Sequence, residues 1–187
     1  MASTAPAVSK DWTYERYLAL DDDRRYEILD GELIMTPAPS TLHQQMATEL
    51  GYQLVGFVKE HNLGRVYYAP TDVVLAPKQV VQPDLLFVRA DRVAEVVGER
   101  AIQGTPDLVV EIISPSSTHT DHFRKRVLYE RFGVPEYWIV DPANRSIEVL
   151  TLREEGYELF SFAAESGSVS SHVLPGLSVT LEELLPR

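Results

Sequence analysis

The stretch PDLVVEIISPSSTHTDHFRKRVLYERFGVPEYWIVD, Pro106 to Asp141, decides how the rest of the chain is read. It opens with Leu108-Val109-Val110-Glu111-Ile112-Ile113, an apolar, largely β-branched run without polar alternation, which is the pattern of a strand buried on both faces. One carboxylate lies inside that run. An ionised and unpaired Glu111 there would cost on the order of several kcal/mol, so the side chain requires a cation, a set of donors or a raised pKa.

The residues that follow supply a candidate partner. Ser114-Pro115-Ser116-Ser117 breaks the strand, and a Ser or Thr in the run Ser117 to Thr120 can cap a helix that reaches to about Phe132, where Gly133 and Pro135 end it. On that helix Asp121, Lys125, Leu128, Tyr129 and Phe132 share one stripe by i, i+3, i+4 spacing, which puts Lys125 on a partly apolar face. Tyr137-Trp138-Ile139-Val140 reads as a returning strand. Strand, helix, strand in this order predicts a right-handed crossover with parallel pairing, and hangs the helix start over the end of the strand that carries Glu111.

Outward from this unit, Met1 to Lys10 reads as a flexible lead-in. Asp11 or Thr13 can cap a short helix, Tyr14 to Leu20, and Asp21-Asp22-Asp23 lacks calcium-loop spacing and reads as a solvated turn. Tyr26 to Met35 carries Asp30-Gly31 between two strand-like runs, a strong hairpin signal. Thr41 with Gln44 fits a capping box for a long helix whose apolar face is Met46, Ala47, Leu50, Leu54 and Phe57; it ends near His61-Asn62-Leu63-Gly64. His43 falls on that face in the first turn, where a lone histidine is more often hydrogen-bonded and structural than a ligand. Glu49 lies off the stripe and is solvated.

Arg65 to Ala69 and Asp72 to Ala76 read as neighbouring strands. Gln82-Pro83-Asp84 leads into Leu85-Leu86-Phe87-Val88, another buried strand with a carboxylate at its start. Ala90 to Val97 reads as a short helix and Gly98 to Thr105 as a polar connector. Ser146 to Leu152 and Tyr157 to Phe162 alternate as an edge hairpin, and a polar loop precedes a last short element around Leu181 to Leu185. With no repeat and no break in composition, residues 1–187 read as one domain, long enough to bury roughly 70% of its unfolded surface.

Composition narrows the function. The chain has no cysteine, which excludes disulfides and thiolate zinc sites and is compatible with a reducing cytoplasm. It has no signal-peptide core and nothing near the ~20 apolar residues a membrane span requires, so the reading is a soluble, cytoplasmic protein. A formal net charge of -11 argues against a protein that coats nucleic acid, because that affinity comes from Lys and Arg neutralising phosphates. A local basic surface remains: Arg124, Lys125, Arg126 and Arg131, with His119 and His122, form the densest basic cluster. Taken singly, Arg124, Arg126 and Arg131 read as a solvated helix face balanced by Asp121 and Glu130; taken together, Arg124 and Arg126 are the candidates for nucleic-acid contact.

Two carboxylates on buried strands, with a lysine brought over them by the next helix, suit hydrolysis of a phosphodiester. Asp84 and Glu111 would hold a hard divalent cation, magnesium or manganese, and Lys125 could orient the attacking water or contact the phosphate. The bland alternative is that Asp84 caps a turn, Glu111 is neutralised by Lys125 or an arginine, and Asp121 with Lys125 is an ordinary i, i+4 pair. Residue chemistry alone does not separate the two, since structural ion pairs imitate functional sites.

Pro83-Asp84, the strand ending Glu111-Ile112-Ile113-Ser114-Pro115-Ser116, Lys125 and Gly133-Val134-Pro135-Glu136-Tyr137-Trp138-Ile139-Val140-Asp141 resemble the Uma-two family of endonucleases, in the PD-(D/E)XK restriction-endonuclease-like superfamily. The resemblance runs from Trp12 through the Asp30-Gly31 hairpin and His43 to the Trp138 strand. It implies an α/β fold with a restriction endonuclease-like core, a mixed central β-sheet flanked by helices, an N-terminal hairpin and C-terminal strands, together with metal-dependent cleavage of DNA. Residue by residue, it makes Asp84 the metal-binding aspartate and Glu111 the acid of the (D/E)XK motif. Two residues after Glu111, where that motif has its lysine, stands Ile113, and the resemblance suggests that Lys125 supplies the charge instead. It also places Glu32, His43 and Asp72 around the same cleft. The competing reading is a catalytically silent module that keeps the nuclease fold and binds nucleic acid, a partner protein or a second copy as a homodimer, using Phe123 and Val127 opposite the Lys125 stripe.

Overall fold

The computed structural model describes residues 10–21, 24–114 and 119–185, the side chains of 119–122 excepted. Thr13 caps α1 (Tyr14–Leu18) by accepting from the Arg16 amide. At the hairpin, Asp30 and Gly31 take φ of 51° and 78°, the pair of left-handed conformations that a two-residue turn matched to strand twist requires. It joins β1 (Tyr26–Leu29) to β2 (Glu32–Met35). The long helix α2 (Thr41–Glu60) is capped by Ser40, which accepts from the His43 amide at 3.2 Å. The expected capping box of Thr41 with Gln44 is not formed; a single cap lies one residue earlier, because Ser40 has the extended backbone that a cap needs and Thr41 is already helical.

There follow β3 (Gly64–Tyr68), β4 (Asp72–Ala76), β5 (Gln79–Val81), β6 (Leu85–Arg89), α3 (Val93–Val96) and β7 (Ala101–Gln103). The unit read first from sequence then appears as β8 (Leu108–Ile112), α4 (His119–Arg131) and β9 (Glu136–Asp141). The chain closes with β10 (Ser146–Arg153), β11 (Gly156–Ala164), β12 (Ser168–Ser170), β13 (Ser178–Thr180) and α5 (Leu181–Leu184). The cap expected within Ser117 to Thr120, the place of Asp121 on the helical stripe and the Asp22-Asp23 part of the acidic turn lie outside the described residues, as does the flexibility expected of Met1 to Ser9.

Two mixed sheets result. One runs β2-β1-β5-β4-β7 and the other β11-β10-β9-β8-β6-β3, with β12 and β13 as a separate ribbon. The expected parallel pairing of β8 with β9 is present, in the register Val109↔Tyr137 and Glu111↔Ile139. All five residues of β8 are buried, as the unalternating run required. Two expectations are corrected. Arg65 to Ala69 and Asp72 to Ala76 are not neighbouring strands, since β3 pairs with β6 while β4 lies between β5 and β7 in the other sheet. Val66 packs on one core and Val73 is wholly buried in the other, so adjacency in sequence lost to the choice of core. Nor is Gly98 to Thr105 only a connector, because Ala101 and Ile102 are buried in β7, parallel to β4.

The six-stranded sheet separates two apolar layers, and period-two alternation decides which residues enter each. Leu108, Val110 and Trp138 face α2, packing with Met46, Leu50 and Leu54. Val109 and Tyr137 face the other way, toward Leu86, Val73, Val81 and the helix residues Leu128 and Tyr129. The hairpin β10-β11 extends one edge of the sheet, as its alternation predicted. Among the described residues no helix is long and apolar enough to cross a membrane.

Candidate active site

The register of β6 against β8 brings the two carboxylates together. Leu85 pairs with Val110 and Leu86 with Val109, so one further step sets Asp84 opposite Glu111, and directly opposed residues of an antiparallel pair share a face. That face is the one turned to α4 and the five-stranded sheet, since Val109, two residues before Glu111, packs there. Asp84 Oδ2 accepts from the Ile112 amide at 2.7 Å, which pins the carboxylate to the residue after Glu111, and lies 3.1 Å from His43 Nε2.

Helix α4 delivers the cation. Lys125 Nζ is 3.0 Å from each Glu111 oxygen and 2.9 Å from Glu27 Oε1. One turn further on, Tyr129 donates its hydroxyl to Glu111 Oε1 at 2.6 Å. Both donors come from the stripe read in the sequence, where residues i and i+4 project over one spot. Glu27 comes from β1 and is held in turn by the Gln82 amide, 2.7 Å from Oε1.

Three buried or nearly buried carboxylates, Glu27, Asp84 and Glu111, thus share one ammonium and the His43 imidazole, so acids outnumber bases among them. The titration behaviour follows. Glu111 is pushed up to about 7, first by burial and then by the Asp84 and Glu27 charges, with Lys125 and the Tyr129 hydroxyl pulling against them. Burial works to lower Lys125, but Glu111 and Glu27 outweigh it and hold the ammonium protonated. Burial likewise opposes the charging of His43, and the Asp84 hydrogen bond and charge overcome it, so its pKa is raised.

These groups form the floor of a cleft of about 230 Å³, lined also by Leu29, Ile34, Met35, Pro37 and Pro39. Of the residues expected around it, His43 is on the floor. Glu32 does not line the cleft: on the β2 face it shares with Ile34, its carboxylate is 3.2 Å from Arg124. Asp72 stands behind the floor: it accepts from Gln82 Nε2 at 2.8 Å, and burial raises its pKa. Arg124 is spent on Glu32 and the Leu29 carbonyl, and half-buried Arg126 lies toward Tyr157; neither lines the cleft. Glu27, Gln82 and Tyr129 were not assigned to the site from sequence. The available signals were a carboxylate inside the strand Tyr26 to Leu29, a polar residue directly before Pro83-Asp84, and a tyrosine four residues after Lys125.

The donor set fits a hard divalent cation. Among the described residues no three His, Asp or Glu side chains are arranged to hold a metal ion, but magnesium is ordinarily held by one or two carboxylates and keeps several waters. Asp84 and Glu111 supply two carboxylates and only oxygen. Both Asp84 contacts fall on Oδ2, so among the described residues Oδ1 is free of hydrogen bonds.

A family model named Uma2 and described as "Putative restriction endonuclease" matches residues 13–182. The crystal structure of a "putative nuclease belonging to DUF820" from Anabaena variabilis superposes with a TM-score of 0.76 at 20% sequence identity, covering 92% of this chain and 96% of that one. At that identity the likeness is one of fold, and it agrees with the restriction endonuclease-like α/β core expected above. Curated proteins yield no match.

Proposed function

The chain belongs to the Uma2 family, and from that premise we propose that it is a DNA endonuclease that hydrolyses phosphodiester bonds with a magnesium or manganese ion held by Asp84 and Glu111. The observation that supports this is the excess of acids on the cleft floor, where three carboxylates share one ammonium and the His43 imidazole. A divalent cation would balance it. When bound, such a cation supplies Lewis acidity toward the phosphate and lowers the pKa of a water.

The chain's own residues have separable tasks in this reading. Asp84, fixed by the Ile112 amide, presents its other oxygen to the cation. Lys125 keeps its proton and so acts as a positive charge rather than a base, steadying the negative charge that gathers on the phosphoryl oxygens. Tyr129 and Lys125 together fix the Glu111 carboxylate, and Glu27 fixes Lys125. His43 orients Asp84. The match over residues 13–182 supports treating the chain as one nuclease-like domain, and the reading places it with DNA in the cytoplasm.

One observation favours a second reading. Lys125 and Glu111 satisfy each other as a structural ion pair would, and Phe123 and Val127 expose 62% and 48% of their surface, which suits a silent module that binds another chain, a second copy included. Incubating the protein with plasmid and single-stranded DNA plus magnesium or manganese separates the two. Nicking or cutting that disappears in Glu111→Ala supports the nuclease; cutting that persists unchanged in that variant, or no cutting and no calorimetric binding of either cation, supports the silent module.

A further inference from the structure

The cleft is two-sided, and its second side has no role in the chemistry above. Beside the acidic floor, on the hairpin face that carries Glu27, stands an apolar wall made by Leu29 and Ile34, then Met35, Pro37 and Pro39. The wall is fixed rather than loose: the Thr36 amide donates to the Arg25 carbonyl at 2.9 Å, and the Arg25 guanidinium to the Pro37 carbonyl at 3.4 Å. Two polar atoms of lining residues are buried without a hydrogen-bond partner. Gln82 is buried, its Nε2 is oriented by Asp72, and its Oε1 has no partner; Thr36 Oγ1 has none either.

Size and charge restrict what such a cleft can hold. A volume of about 230 Å³ falls just below the range of roughly 300 to 1,000 Å³ typical of drug-sized ligands, room for one ring system and not a length of double helix. Among the described residues only Arg25 and Lys125 bring cations to the lining, and Lys125 is engaged by Glu27 and Glu111. A duplex is gripped through many phosphates, which needs a row of free cations. An unstacked base is gripped through its faces by apolar side chains and through its edge by hydrogen bonds. The cleft has the second set of groups and lacks the first.

We propose that this cleft receives one unpaired nucleobase against the hairpin wall, the unpartnered Gln82 amide and Thr36 hydroxyl turning out to meet its edge, so that the substrate is single-stranded DNA or DNA with an unpaired base beside the scissile phosphate. This rests on the nuclease reading for the identity of the polymer. The wall places the base and the acid floor places the phosphate.

Binding tests it without relying on cleavage. With calcium in place of magnesium, fluorescence anisotropy of a labelled single strand and of its blunt duplex should give affinities that differ by roughly tenfold or more in favour of the single strand, since the duplex must first unstack a base. A 2-aminopurine set in a one-base bulge should change its emission on binding. Met35 is 56% exposed and tolerates replacement, so Met35→Ser should shrink the single-strand to duplex ratio by roughly fivefold, from lost apolar contact. Equal affinities, an unmoved ratio in Met35→Ser, unchanged 2-aminopurine emission at saturation, or no binding of either form would overturn the inference. Parallel cleavage with magnesium keeps the two proposals apart. Equal cutting of duplex and single strand removes this one and leaves the nuclease; strand preference without any cutting does the reverse.

Discussion

Replacing Glu111 with Gln should stabilise the cation-free protein above neutral pH relative to the wild type. The carboxyl is pushed from its ordinary 4.5 up to about 7 by burial and by Asp84 and Glu27. Between those values the folded protein keeps a proton that the unfolded chain has released, so wild-type stability falls as pH rises through that window and levels off above about 7. A difference of about two and a half units corresponds to about 3 kcal/mol. Glutamine cannot ionise, so that part of the pH dependence vanishes, while its carbonyl still accepts from Lys125 or Tyr129. Because the other titrating groups are common to both proteins, the informative quantity is the stability of the variant minus that of the wild type, followed with pH.

Urea denaturation in EDTA at several pH values from 4.5 to 8 measures this difference directly. It should move by about 3 kcal/mol in favour of Gln, which for a chain of this size is roughly 6 to 12 °C in melting temperature. Saturating magnesium should then recover stability in the wild type alone, since a cation that binds only the folded state adds about 2.7 kcal/mol at a hundred times its Kd. If the difference is flat with pH, or turns against Gln above pH 7, Glu111 is an ionised and well-paired partner of Lys125, and the excess negative charge that motivates the cation is not there.

Three further outcomes are expected. Glu27→Gln removes one of the two carboxylates that hold Lys125 and should lower plasmid nicking by roughly 10- to 100-fold with little change in melting temperature; a wild-type rate would take Glu27 out of the site. His43 should show an NMR titration midpoint above 6.5 that falls in Asp84→Asn, where the largest influence opposing burial is lost, and the stability it gains from Asp84 should be complete below pH 6.5 and fade as pH rises through the folded midpoint. Glu136 is wholly buried and accepts from Trp138 Nε1, the Ser171 hydroxyl and the His172 and Val173 amides at 2.6 to 2.9 Å. Glu136→Ala strands all four donors and should cost about 3 kcal/mol or more by urea denaturation, leaving nicking at permissive temperature intact.

The unit from β8 to β9 was legible because its information is local. An unalternating apolar run, a helical stripe and a second apolar run lie within 36 consecutive residues, and each period reports burial without reference to the rest of the chain. The hairpin was legible because Asp30-Gly31 encodes its own backbone. The division into two sheets was not, since Val66 and Val73 look alike in sequence and differ only in which layer they enter. β12 and β13 escaped because each offers a single buried valine between small hydroxyl residues, too little for a period to register. At the site, Asp84 and Glu111 could be named from residue type, but that they stand opposite each other is a property of register between strands more than twenty residues apart. Glu27 was hidden for a related reason. A carboxylate in a hairpin strand ordinarily points to water, and only the packing of that hairpin face over α4 turns it inward.

The place of the lysine follows from the same geometry. Position 113, where the superfamily motif would carry it, is already past the end of β8, and the Ile113 amide donates to the Val140 carbonyl at 2.8 Å. A side chain there is tied to the strand's exit. Lys125 is instead carried by α4, whose Leu128 and Tyr129 are buried in the layer that contains Val109 and Tyr137. Its ammonium is therefore aimed by helix packing, and the adjacent turn adds the Tyr129 hydroxyl to the same carboxylate. A lysine carried by a helix has one physical consequence that a strand lysine would not share: the charge over the acids depends on how α4 seats against the sheet. Leu128→Ala, which opens a cavity beneath that helix without touching any acid, should loosen Lys125 from Glu111 and impair catalysis beyond what its loss of stability explains.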